Sequence, residues 1–156
     1  MIPARPPRRA DREIPTAEAE ALLTAGTYGV LSTVGSDGLP YAIPVSYTYR
    51  ERVIYVHCAP EGRKLDNLAA NPAVSFCVVG HTQTLPRHFS TEYESAIAAG
   101  TARLVDGDEK ERALVALLEK YSPEFMAQGH KYIAGKIERV AVLRIDVEHV
   151  SGKARR

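Results

Sequence analysis

The sequence predicts a mainly antiparallel β-barrel flanked by helices, and three observations carry that expectation. Short β-rich runs follow one another through tight turns, which favours antiparallel pairing. Helical stretches do not alternate regularly with the strands, as a doubly wound parallel sheet would require. The strands are also numerous and short, so closure is the natural way to dispose of unpaired edges. With 156 residues, 45% of them hydrophobic, the chain suits one domain rather than two.

The segment TAEAEALLTAG is the first helix, with Thr16 as its N-cap, Glu18 and Glu20 near its positive end, and Gly26 closing it. YGVLSTV and LPYAIPVSYTY then read as two strands. Asp37-Gly38 stands between them as a hairpin turn, because glycine tolerates the positive φ such turns need. Pro40 and Pro44 remove ladder donors, so the second run belongs at an edge, or is bulged or broken. Arg50-Glu51-Arg52 makes the next turn, before VIYVHCA, where Val53, Tyr55 and His57 share one face and Ile54, Val56 and Cys58 the other.

PEGRKLDNLAANP is a short helix stopped at Asn71-Pro72, and AVSFCVVG is a fourth strand. Residues 81–92 are polar and read as irregular. SAIAAGTARLVD makes a fifth strand, and a helix follows from Asp108, which has capping-box spacing to Glu111. Leu114, Leu117, Leu118 and Tyr121 recur at helical spacing, and KIERVAVLRIDVEHV forms the last strand. The expected organisation is a flexible basic arm over 1–11, one domain over 12–150 and a basic tail over 151–156.

Charge narrows the functional classes. Residues 1–12 carry +3 and residues 151–156 carry +3, so with a total of +1 the remainder carries −5. That balance does not suit a strongly basic nucleic-acid binder. No run approaches the roughly 20 apolar residues that span a bilayer, and the arginines and prolines of the N-terminus do not suit a secretory signal. Cys58 and Cys77 are too few for a disulfide framework and lack zinc-ligand spacing, so a reducing, cytoplasmic setting is expected, with no metal site.

The chemistry-bearing stretch is His57-Cys58-Ala59-Pro60-Glu61-Gly62-Arg63-Lys64. It leaves a strand, turns at a glycine and enters a helix behind two adjacent cations, which is a place to hold an anion such as a phosphate. Read alone, Arg63 and Lys64 equally suit the solvated face of a short helix. His57 suits a proton donor or ligand near that anion, and equally a hydrogen-bonded strand histidine. Ser32, Thr33 and Ser46 lie where hydroxyls could meet a ligand, or could simply serve a strand. No Walker or dinucleotide glycine motif occurs, which excludes the usual nucleotide triphosphate and Rossmann sites.

GVLST, DGLPYAIPV, IYVHCAPEGRK, YESAIAAGTARLV and the EKERALVALLEKY helix resemble the pyridoxamine 5′-phosphate oxidase-related flavoproteins. Within these they are most similar to the branch of the 5-nitroimidazole-resistance (Nim) proteins, and the match runs from Arg9 to Val150. The resemblance implies an FMN-binding split β-barrel that forms a homodimer with FMN between the subunits. It assigns Arg63 and Lys64 to the flavin phosphate, and His57 and Ala59 to the strand end lining the pocket. Pro44, Val45 and Ser46 would pass the flavin ring, and Ser95 would lie near the cofactor. Many relatives have Asn where this chain has Ser46, so a contact there differs.

The implied activity is an FMN-dependent oxidoreductase acting on a small molecule, with nitroaromatics as candidate substrates and His57 as the catalytic proton donor. The alternative is a non-catalytic flavin- or haem-binding barrel. Pyridoxamine phosphate is ranked last as a substrate, because those oxidases carry a longer C-terminal segment with arginine and tryptophan. No nucleic-acid or membrane partner is expected.

Overall fold

A computed structural model describes residues 6–156; Met1 to Arg5, part of the expected arm, lie outside the described residues. The strands are β1 (Glu13–Ile14), β2 (Gly29–Val34), β3 (Pro40–Val45), β4 (Thr48–Arg50), β5 (Val53–Cys58), β6 (Ala73–Leu85), β7 (Ser90–Val105) and β8 (Ala141–Arg155). The helices are α1 (Thr16–Ala25), α2 (Arg63–Ala70), α3 (Gly107–Tyr121) and α4 (Met126–Lys136). All pairings are antiparallel, in the order β3-β2-β6-β7-β8-β5-β4, with β1 added against β8.

That order forces the sheet to curl. Its two ends, β3 and β4, are joined only by Ser46 and Tyr47. Three Cα steps span at most about 11 Å, whereas the outer strands of a flat sheet of seven would stand roughly 29 Å apart. The ends therefore meet without pairing, which leaves a seam in an otherwise closed wall. The prolines explain the edge: Pro40 and Pro44 both sit on β3, the terminal strand, where a missing donor costs little.

Tyr47 closes the seam. Its ring is fully buried against Phe76, 4.8 Å between centroids, and its hydroxyl donates to the Leu23 carbonyl at the end of α1. Tyr121 accepts the Tyr47 N–H at 2.9 Å and donates to the Thr27 carbonyl at 2.7 Å, so α3 is tied to the same point. The Lys120 ammonium rests over the Tyr47 ring at 3.9 Å. Around this seam Leu23, Leu31, Ile54, Val56, Phe76 and Leu143 form part of the principal core. A second cluster, with Leu114, Leu117 and Val142, packs α3 on the opposite face of the sheet.

Several expectations about elements are corrected. Residues 81–92 are not irregular: β6 runs to Leu85 and β7 starts at Ser90, with Thr82 to Leu85 paired to Tyr93 to Ser90. The β6 arm of this hairpin is largely exposed and the β7 arm is half-buried throughout, so neither shows the hydrophobic alternation that signals a strand. Residues 151–156 are not a free tail: Ser151, Gly152 and Lys153 pair with Ile97, Ala96 and Ser95 on one side, and Gly152 and Lys153 with β1 on the other. Gly152 is glycine for packing, since a Cβ there would stand 2.6 Å from Ile14 and 2.7 Å from Ala19. Arg156 joins Glu18 and Glu94 at 2.7 and 2.9 Å.

Thr16 is the first helical residue rather than the cap, and Pro15 holds the cap position in extended geometry. Gly26 ends α1 with an ordinary negative φ. Asp106 precedes α3 and Asp108 lies inside it, so the capping box from Asp108 to Glu111 does not form. The whole of α4 is an addition to the sequence reading. It buries no residue fully, and its pattern carries little amphipathic contrast. Among the described residues, no helix is long and apolar enough to cross a membrane.

Candidate functional site

β5 carries the chain from the core to the site. Ile54 and Val56 are fully buried inside the barrel, so alternation turns His57 outward at the strand end. Gly62 then adopts φ +122°, and a Cβ there would meet nothing within 4 Å. The backbone conformation alone demands glycine at this turn. Its carbonyl accepts the Leu65 N–H at 2.8 Å, starting α2. The N–H groups of Arg63 and Lys64 thus belong to the first helical turn, which has no partner in the helix's own ladder.

The two cations behind that turn are held differently. The Arg63 guanidinium lies over the ring of Tyr41 on β3, 4.6 Å from its centroid. Lys64 stands beside Cys58, whose thiol pKa is pushed up by burial while the ammonium pulls the other way. Neither Arg63 nor Lys64 has an acidic partner among the described residues. Asn67, one helical turn after Arg63, is buried and donates to Thr33 Oγ1 on β2 at 2.9 Å.

A cleft of about 630 Å³ opens on the outer face of β5, between the sheet and the α3–α4 pair. It is within the size range of small-molecule sites. Ser46 and His57 both line it, so the structure brings together two residues that sequence reasoning singled out 11 positions apart. The opposite wall is apolar, with Leu117, Tyr121, Phe125, Tyr132 and Ile133, and Gln128 and Lys136 add polar groups. Phe125 and Tyr132 are 57% and 69% exposed, an unusual outlay of aromatic surface on one helical hairpin.

The other predicted site residues fall into three places. Pro44 and Val45 lie on β3, immediately before Ser46, with Pro44 exposed and Val45 half-buried. Ala59 is exposed just beyond the end of β5, beside His57 and Cys58. Ser95 is elsewhere. It pairs with Lys153 of β8, whereas His57 pairs with Val142, and the ten residues between, eleven steps along the strand, correspond to about 36 Å of extended chain. Within one chain Ser95 is not brought to the cleft.

Sequence reasoning missed Tyr41, Asn67 and the α4 wall. The cross-strand register was the usable signal for Tyr41: once Asp37-Gly38 makes the turn, Tyr41 falls opposite Thr33 beneath the helix. No cluster of three or more His, Cys, Asp or Glu suited to a metal occurs among the described residues, and Cys58 and Cys77 are free thiols.

A family model described as pyridoxamine 5′-phosphate oxidase matches residues 15–154. Among solved structures, the chain is similar to a candidate 5-nitroimidazole antibiotic resistance protein from Bacteroides thetaiotaomicron. Identity there is 23% over 90% of this chain and 85% of that one, with a TM-score of 0.78. An FAD-binding protein from Mesorhizobium loti is 25% identical over 90% and 93% of the two chains, TM-score 0.66. An FAD and heme binding protein from Mycobacterium smegmatis is 20% identical over 88% and 70%, TM-score 0.75. No curated protein matches the chain in sequence.

Proposed function

The chain belongs to the pyridoxamine 5′-phosphate oxidase family, and from that membership we propose that it binds FMN and works as a flavin-dependent oxidoreductase on small aromatic compounds. The observation that carries this reading is the pair of cations at the Gly62 turn, without an ion pair among the described residues, at the same strand end as the cleft lined by His57 and Ser46. Two cations without an ion pair among the described residues and the N–H groups of a first helical turn are a donor set suited to a phosphate monoester. A bound flavin supplies electron transfer.

This chain's own residues do the rest. Arg63 and Lys64 anchor the phosphate, and Pro44, Val45 and Ser46 flank the ring along the β3 edge. The apolar wall of α3 and α4 excludes water from the ring. His57, exposed in the cleft, is the group we assign to hand a proton to a substrate. Nitroaromatics fit an apolar cleft of this size with His57 at its β5 wall, and the cytoplasm keeps both thiols reduced.

A homodimer accounts for Ser95. Val79 and Ile97, 59% and 45% exposed, stand two residues apart in register on the outer face of the β6–β7 pair. Ser95 is opposite Val79. A second copy docked on that face carries Ser95 toward the cleft that its own chain keeps far away.

Haem is the second reading, favoured by His57, an imidazole exposed in an apolar, aromatic cleft. An absorption spectrum of the purified protein, repeated after adding FMN and separately haem, decides between them. A two-band flavin spectrum that survives gel filtration supports the oxidoreductase; a sharp haem band without retained flavin moves the function to haem handling. On the flavin reading, His57→Ala lowers nitroaromatic turnover about 10²-fold or more with an unchanged melting temperature. Unchanged kinetics with a lowered melting temperature return His57 to a structural role. Sedimentation of Val79→Asp/Ile97→Asp tests the dimer, with a monomer as the expected result.

A further inference from the structure

We propose that Tyr41 and Asn67 are positioning residues, gripping one face of α2 so that Arg63 and Lys64 are set for the flavin phosphate; this rests on the phosphate assignment above.

At eight residues, α2 is too short to hold its own conformation in water, so tertiary contacts must place it. Arg63 and Asn67 are four residues apart and therefore share a face. The residues they meet are also a pair: Tyr41 and Thr33 are directly opposite across β2 and β3. Arg63 stacks on Tyr41 at 4.6 Å, Asn67 Nδ2 donates to Thr33 Oγ1 at 2.9 Å, and Thr33 Oγ1 donates on to the Tyr41 carbonyl at 3.4 Å. One rung of the hairpin thus holds one face of the helix at two points.

The two points do different work. Asn67 and Thr33 are 6% and 2% exposed, so their hydrogen bond is shielded from water and fixes the distance of the helix from the sheet. The stack on Tyr41 uses the flat face of the guanidinium and leaves the N–H donors at its rim available. Arg63 is therefore oriented without being neutralised, which a carboxylate partner would not allow. Without the ring, a rotamer-rich side chain has to be ordered at the moment of binding.

Riboflavin has the same ring as FMN and lacks the phosphate, so the ratio of their dissociation constants isolates what the grip does. We would titrate both flavins into the full-length protein by fluorescence quenching. Tyr41→Leu and Asn67→Ala are each expected to cut the preference for FMN about tenfold, with riboflavin affinity held within about twofold. Tyr41→Phe keeps the ring and should keep the preference. If Asn67→Ala does not fold, Tyr41→Leu decides alone, because Tyr41 lies half-buried on an edge strand.

A wild-type preference that persists in the folded variants overturns the grip, even where their melting temperatures drop. If wild type itself does not distinguish FMN from riboflavin, the phosphate assignment falls, and the grip with it.

Discussion

Arg103 and Arg144, on β7 and β8, are ion-paired with carboxylates, whereas Arg63 and Lys64, at the start of α2, form no ion pair among the described residues. Arg144 meets Glu109 at 2.6 Å and Asp146 at 2.6 Å, and Arg103 lies 3.5 and 3.7 Å from the same two acids. Tyr55 donates to Glu109 at 2.9 Å and completes the cluster, which fastens the first turn of α3 to the sheet. Arg63 has an aromatic ring instead, and Lys64 a thiol. The same chemistry is thus used as a clamp where it is neutralised and left open to an anion where it is not. Partnership, rather than the presence of basic residues, separates the two regions.

Removing each region's cations should break different properties. The largest effect is expected for Arg63→Ala/Lys64→Ala: loss of two charge-assisted contacts weakens FMN binding by about 10²-fold or more, with the melting temperature nearly unchanged. Calorimetric titration beside a thermal melt checks both; undiminished FMN affinity would falsify the phosphate assignment. Arg144→Ala is the converse. It leaves Glu109 and Asp146 to the longer contacts of Arg103 alone and should cost about 1 kcal/mol in stability by urea unfolding, while FMN affinity stays put. A variant as stable as the parent would make the clamp ornamental.

Acid titration sharpens the contrast and has the smallest expected effect near neutrality. A phosphate monoester takes up its second proton near pH 6, so FMN affinity should decline first, several-fold between about pH 7 and 5. The clamp yields later. Glu109 is held below its ordinary pKa of 4.5, chiefly by the Arg144 hydrogen bond, so its stabilising contribution is complete above that value and is lost as pH falls further. Unfolding and flavin release that coincide in pH would show that the two regions are not independent.

Much of the barrel was legible because alternation and turns are local. The Asp37-Gly38 hairpin, the edge strand with Pro40 and Pro44, and the inward and outward faces of β5 all follow from a few neighbouring residues. Elements without buried faces that alternate left no such trace. The β6 arm of the β6–β7 hairpin is exposed, its β7 arm is half-buried without alternation, and α4 buries no residue fully. The last strand was hidden for another reason: Gly152 and three basic residues resemble a tail until β1 and β7 are known to flank them.

By itself, the sequence determined the fold class, the turn that carries two cations into α2, and the family pattern, because each is written in contiguous residues. Tertiary structure alone decided that Ser46 and His57 share a cleft, that Ser95 lies far from it, and that Arg63 stacks on Tyr41. Tertiary structure also decided that Tyr47 plugs a seam held to Leu23 and Tyr121. Those relations depend on which strands become neighbours when the sheet curls and on the register between them, and both are settled by burial across the whole barrel rather than by any local stretch of chain.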